Sequence, residues 1–373
     1  MKKLAKAIIL VAVLALVFFG CESDTDHDEG TAPLNKLFLT TSDYQTGGIG
    51  LIDLDSLSPW EPDPAWAKDV ASADAIPVAF QQRIFVINRM PTDSISVLEF
   101  DENNQLKLVN QYSVKGDETN ANPYDLAFIT SERAYLTRYG SSQLWVINPE
   151  SGELIKTIDL SQYADEDGIP EMAFMLVQGF YVYVAIQRLD ESNGWIPVGD
   201  SYLIKISWLN DQIAGKIPLS STNPITDLVW NSELGKILVG EVGNYGVLDG
   251  GIDGVDPATE QAQMLVSEAE LDGDLTDFVL VSSQKGYAIV IKDSASKVVE
   301  FNPSTGEVIN SEVYKTGPWD LFDLALDEQG RLFIADRNAT SPGVIVIDTS
   351  NNQLLTSEPI NFSLPPYYMT AIK

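Results

Sequence analysis

PYDLAFITSERAYLTRYGSSQLWVINPESGELIKTIDL, residues Pro123 to Leu160, decides the fold. It holds four short runs rich in aromatic and β-branched residues, each cut off by turn-forming residues, and the third ends in Asn148-Pro149-Glu150-Ser151-Gly152. Asn followed by Pro and then Gly is a turn signal with a mechanism: the Asn side chain bonds backbone ahead of it, Pro pre-sets φ, and Gly accepts positive φ. The stretch therefore reads as four consecutive antiparallel strands. Such a sheet cannot bury both of its faces alone, so copies of it are expected elsewhere in the chain.

They occur along the whole length. First strands read IPVAF (Ile76 to Phe80), PYDLAFI (Pro123 to Ile129), PEMAFM (Pro170 to Met175), ITDLVW (Ile225 to Trp230), LTDFVL (Leu275 to Leu280), LFDLAL (Leu321 to Leu326) and PYYMTAI (Pro366 to Ile372). Aligned on Ala79, Ala127, Ala173, Val229, Val279, Ala325 and Ala371, they recur every 46 to 56 residues, the spacing of four-stranded propeller blades. Second strands such as RIFVIN (Arg83 to Asn88), RAYLTR (Arg133 to Arg138) and RLFIAD (Arg331 to Asp336) are nearly continuous apolar runs, as expected where both faces are covered. LFLTT (Leu37 to Thr41) and GIGLIDL (Gly48 to Leu54) match second and third strands with no first strand before them, whereas PYYMTAI has nothing after it. The expectation is an all-β, seven-bladed β-propeller over residues 34–373, closed by the C-terminal strand pairing with the first blade.

The Pro123 to Leu160 stretch and DLFDLALDEQGRLFIADRNATSPGVIVIDTSNNQLL, Asp320 to Leu355, resemble blades of the YVTN and NHL class of seven-bladed propellers. Asp125, Asp227, Asp277 and Asp323 stand where that class often carries Gly, and the YVTN tetrapeptide itself is absent. The resemblance implies the fold. Propellers host many unrelated activities, so it implies no function.

Residues 1–20 read as a targeting segment, with Lys2, Lys3 and Lys6 ahead of an apolar run from Ala7 to Phe19 that is short for a membrane span. Its end, Phe18-Phe19-Gly20-Cys21, resembles the lipobox of bacterial lipoproteins, which implies cleavage before Cys21 and a lipid on that residue. Residues 21–33 are acidic, small and aperiodic, and read as a disordered tether. The expected location is the bacterial cell envelope, anchored in the lipid bilayer through Cys21; Glu22, standing where Asp marks inner-membrane retention in enteric bacteria, favours the outer membrane or cell surface. Cys21 is the single cysteine, so no internal disulfide can form and stability must come from packing.

Of the 23 basic residues, setting aside the three leader lysines leaves 20 against 54 acids, a formal charge of −34. Nucleic acid is a poor partner for such a surface; cationic ligands, metal ions and basic protein faces remain. His27, the single histidine, lies in the tether. The propeller thus lacks both imidazole and thiol, which removes Ser-His-Asp and Cys-His catalysis and histidine-ligated metals or haem. Carboxylate chemistry is what remains. The loop Asp249-Gly-Gly-Ile-Asp253-Gly-Val-Asp256 has the look of a calcium loop, but in register with GGIGLIDL and PGVIVIDT it is expected to be a third strand.

Two columns of charge are expected around one mouth of the channel. Asp125, Glu171, Asp227, Asp277 and Asp323 open the first strands, and Arg89, Arg138, Arg188, Lys292 and Arg337 close the second strands on the same face. Either each Arg pairs with an Asp and fixes the ring, or the mouth is a mixed-charge pocket whose Arg forks hold a ligand. Glu241 replaces the base in one blade, a break where a site would be easiest to build. The function expected is a non-enzymatic binding or scaffold propeller taking an envelope or surface protein, or a small ligand, on the acidic face, with no cofactor. The alternative resembles the gluconolactonase propellers, Ca-dependent hydrolases, and requires at least three of the five acids to converge on one ion.

Overall fold

The computed structural model describes residues 35–372; the leader, Cys21 and the tether lie outside the described residues. Seven four-stranded antiparallel sheets form the blades. Blades 2 to 7 run outward in chain order from inner strands Ile76–Phe80, Pro123–Thr130, Met172–Gln178, Val229–Asn231, Asp274–Ser282 and Leu321–Leu326. Blade 1 is composite, with Pro366–Ile372 innermost, then Lys36–Ser42, Gly47–Asp53 and Ser58–Trp60. Lys36 lies opposite Ile372 and Leu39 opposite Met369, so the closing strand docks as the sequence leads one to expect. A seven-bladed propeller is therefore the fold.

The continuous apolar second strands have the burial their pattern implies. In Tyr181–Ile186 of blade 4, Val182, Val184 and Ile186 pack with Tyr135, Leu144 and Val146 of blade 3, while Tyr183 and Ala185 join a cluster with Ile237 and Val239 of blade 5. Alternate side chains thus serve two neighbours, and each fully buried aliphatic contributes about 1.5–3 kcal/mol. The third-strand hairpins are Asx turns: Asn148 Oδ1 accepts from the N–H groups of Glu150 and Ser151, Asp256 Oδ1 from Ala258 and Thr259, and Asn302 Oδ1 from Ser304 and Thr305. Gly251–Asp256 is the third strand of blade 5, paired on both sides, and not a metal loop. Gly47, which opens the matching strand of blade 1, lies so close to the chain that a Cβ would sit 2.1 Å from the Ser72 carbonyl oxygen. Only glycine fits there.

Beyond the blades, Asp63 caps a short helix, Pro64–Val70, by accepting from the N–H groups of Ala65 and Trp66. The insertion in blade 4 carries a small hairpin in which Leu189–Asp190 pairs with Ile196–Pro197.

Candidate functional site at the channel mouth

The inner strands of all seven blades line one axial cavity of about 790 Å³. Register decides which side chains face it. In blade 3 Leu126 pairs with Leu136, and in blade 7 Leu324 pairs with Ile334, so Asp125 and Asp323 occupy the same position in their blades. That position is filled around the ring by Tyr368, Ile76, Asp125, Phe174, Asp227, Asp277 and Asp323, all in the cavity wall. Four of the five expected acids are brought together. Glu171 is not, because Met175 is the residue paired opposite Val184, which puts Phe174 and not Glu171 in the column. Aligning Ala173 with Ala127 slips blade 4 by three residues; the true counterpart of Ala127 is Leu176.

The carboxylates in the column are blade-to-blade latches. Asp125 accepts from its own neighbour Leu126 N–H and, across the gap, from Met175 N–H of blade 4, both at 2.7 Å. Asp277 does the same with Phe278 and with Leu324 of blade 7, at 2.8 and 2.7 Å, and Asp323 reaches Met369 of the closing strand at 2.8 Å. Burial, reinforced by Asp227, pushes the Asp125 carboxyl up to about 7, and burial with neighbouring acids lifts Asp277 and Asp323 well above the usual range. Asp227 differs. It accepts no side-chain hydrogen bond among the described residues and is open to the cavity, yet the blades surrounding it keep bulk water distant, and that enclosure lifts its carboxyl to about 6.

The arginines do not pair with these acids. None of Arg89, Arg138, Arg188 and Arg337 has a carboxylate within ion-pair distance among the described residues, which corrects the expected Asp–Arg ring. Arg89 Nε donates to Asn122 Oδ1 and its guanidinium lies 4.5 Å from the centre of the Tyr124 ring. Arg138 is buried, donating to the carbonyls of Val114 and Lys115 and stacking on Trp145 at 4.0 Å. Arg188 is held by the Asp200 carbonyl and the Tyr202 hydroxyl. Arg337 donates to the carbonyls of Pro366 and Ser42 while lying over Tyr44, so it fastens the closing strand to blade 1. Arg138 and Arg337 are committed to carbonyls, and none of the four arginines lines the axial cavity. Lys292, at the end of the blade 6 second strand, does pair with an acid, Asp272 of the preceding connection. Other ion pairs gather at the start of the second strands, at the other face, where Arg83 meets Glu150 at 2.5 Å, Arg133 meets Asp211 at 2.6 Å and Lys285 meets Glu300 at 3.0 Å.

Two expected acids are buried away from the cavity. Glu171 Oε2 accepts from Leu189 N–H at 3.0 Å, pinning the root of the blade 4 insertion, and burial, aided by Asp167 and Asp165, pushes its carboxyl up to about 8. Glu241 is fully buried against Asp253. Its Oε2 accepts from Ser221 N–H and Asp253 Oδ2 from Ser220 N–H, leaving Glu241 Oε1 and Asp253 Oδ1 with no other donor. Burial and the neighbouring Asp253 carboxylate hold Glu241 well above the usual range.

What the charge columns gave no hint of is an aromatic rim. Tyr44, Tyr245 and Trp319, all more than half exposed, stand in loops at the mouth, with Tyr124, Phe174, Phe322 and Tyr368 below them. Tyr245 and Trp319 lie 5.5 Å apart at 57°. Tyr44, Trp195 and Trp319 share a positive φ of 66°, 62° and 62°, an uncommon backbone for bulky residues, and aromatic residues inside turn segments were the available signal. Among the described residues no group of three His, Cys, Asp or Glu is placed to hold a metal ion.

No protein-family model matches the chain, and no curated protein matches it. Solved structures do. A putative 6-phosphogluconolactonase from Bacteroides uniformis superposes with a TM-score of 0.61 at 13% identity, covering 90% of this chain and 98% of that one. AztD from Citrobacter koseri gives 0.54 at 13% identity over 91% and 98%, and the dihydro-heme d1 dehydrogenase NirN gives 0.56 at 14% identity over 92% and 76%. At such identities the likeness is one of fold alone.

Proposed function

We propose that this chain is a lipid-anchored protein of the bacterial envelope whose propeller is a non-enzymatic binding module, taking its protein or small-molecule ligand at the channel mouth. The observation that carries the reading is the axial cavity, a concave site with an aromatic rim and a few convergent polar groups, in a ring without a single histidine or cysteine to supply a nucleophile and base. Three of its four acids are engaged as latches, which suits a rigid, preformed site better than acid–base turnover. A calcium-dependent lactonase needs three acids on one ion, and the acids of this cavity are not so grouped. The test is twofold. Cells fed radiolabelled palmitate should label the parent chain and not Cys21→Ala, and tagged protein should recover a specific partner or ligand from envelope extracts. An unlabelled parent, or an extract from which nothing is retained, would overturn the corresponding half.

A further inference from the structure

We propose that the axial cavity recognises an organic cation, a molecule presenting a primary or quaternary ammonium group. The proposal rests on the binding-module reading above and assigns the ligand class of that site. Among the described residues, the only acidic or basic side chains lining the cavity are four carboxyls, Asp125, Asp227, Asp277 and Asp323, and no Lys, Arg or His lines it. Asp227, raised only to about 6 and engaged in no latch, is the one most readily ionised. Such a wall offers an anion no cationic partner, and the chain's formal charge of −31 steers cations toward the molecule.

The wall also discriminates among cations. A bare metal ion needs several oxygens at close range, and no such grouping exists among the described residues. An ammonium head needs less. It takes one free carboxylate, an additional acceptor and the negative faces of aromatic rings. Asp227 is that carboxylate, since its neighbours Asp125 and Asp277 have both oxygens committed to backbone N–H groups. Thr276, on the adjoining blade and also in the wall, has a buried hydroxyl oxygen with no partner. Tyr245 and Trp319 complete the cage from the rim. Their counterparts Tyr44 and Tyr124 already carry the guanidinium groups of Arg337 and Arg89 at 4.4 and 4.5 Å, outside the cavity wall. The cavity volume of about 790 Å³ accommodates a ligand body behind the charged head.

Isothermal titration calorimetry of the propeller-containing chain with choline and spermidine decides the matter. The controls are choline's uncharged carbon isostere dimethylbutanol, and glucose. Choline or spermidine should bind, with the isostere weaker by roughly tenfold or more, and Asp227→Asn and Trp319→Ala should each weaken the cation by a similar factor. Glu102→Gln, on an exposed turn away from the mouth, should leave binding unchanged, and thermal melts establish that every variant is folded. Equal binding of the isostere, binding of glucose alone, or indifference to Asp227→Asn would overturn the cation while leaving a binding site. Failure of both cations to bind also overturns it, whereas the envelope pull-down judges the broader reading independently.

Discussion

Replacing Glu171 by Gln should remove a specific part of the pH dependence of stability. The side chain is 3% exposed and its carboxyl stands at about 8, against an ordinary 4.5, mainly through burial. A folded-state value above the unfolded one means that folding takes up a proton: the contribution is whole below about pH 4.5 and is lost as pH rises through about 8. Each pH unit in that window costs about 1.4 kcal/mol, so between about pH 5 and about pH 8 this group alone removes up to roughly 4 kcal/mol. Glutamine fixes the neutral form at every pH, and its carbonyl can still accept from Leu189 N–H. The variant should match the parent to within about 1 kcal/mol at about pH 5 and exceed it by up to roughly 4 kcal/mol at about pH 8. Urea unfolding at both pH values, with linear extrapolation, measures the difference. Other raised carboxyls such as Glu268 act in both chains and cancel. Parallel pH profiles for the two proteins would refute the reasoning.

The buried pair in blade 5 makes a related prediction: Glu241→Gln, whose amide can donate to Asp253 and accept from Ser221, should fold normally, while Glu241→Leu strands Asp253 Oδ1 and Ser221 N–H at about 1–3 kcal/mol each, read from urea melts. Arg337→Ala should cost about 1–3 kcal/mol by freeing the Pro366 and Ser42 carbonyls, and hydrogen exchange should quicken first in Pro366–Ile372. Global loosening without that local signature would count against its role as a clasp.

The ring was legible because packing between blades enforces a periodic pattern: apolar second strands, Asx hairpins and an orphan strand at each end all follow from what a closed ring must bury. The site was legible only in part. Asp125, Asp227, Asp277 and Asp323 share a register position that strand period alone reveals, so they were found. Glu171 falls outside the column because small residues mark a strand but not its exact phase: the counterpart of Ala127 is Leu176 and not Ala173. The arginines were read correctly as lying at strand ends, but a guanidinium chooses among carboxylates, carbonyls and rings according to three-dimensional reach. Here the acids turn to neighbouring backbone N–H groups, leaving Arg337 and Arg138 to carbonyls and rings. The rim aromatics lie in loops, where periodicity carries no information.

The composite first blade has a kinetic consequence. Lys36 cannot meet Ile372 until more than three hundred intervening residues have been made, so the edge of Lys36–Ser42 stays open through nearly all of synthesis. Joining contacts so remote in sequence is slow, and an unpaired β-edge is sticky in the meantime. The interval before Pro366–Ile372 docks is therefore the one in which the chain is most open to misassociation.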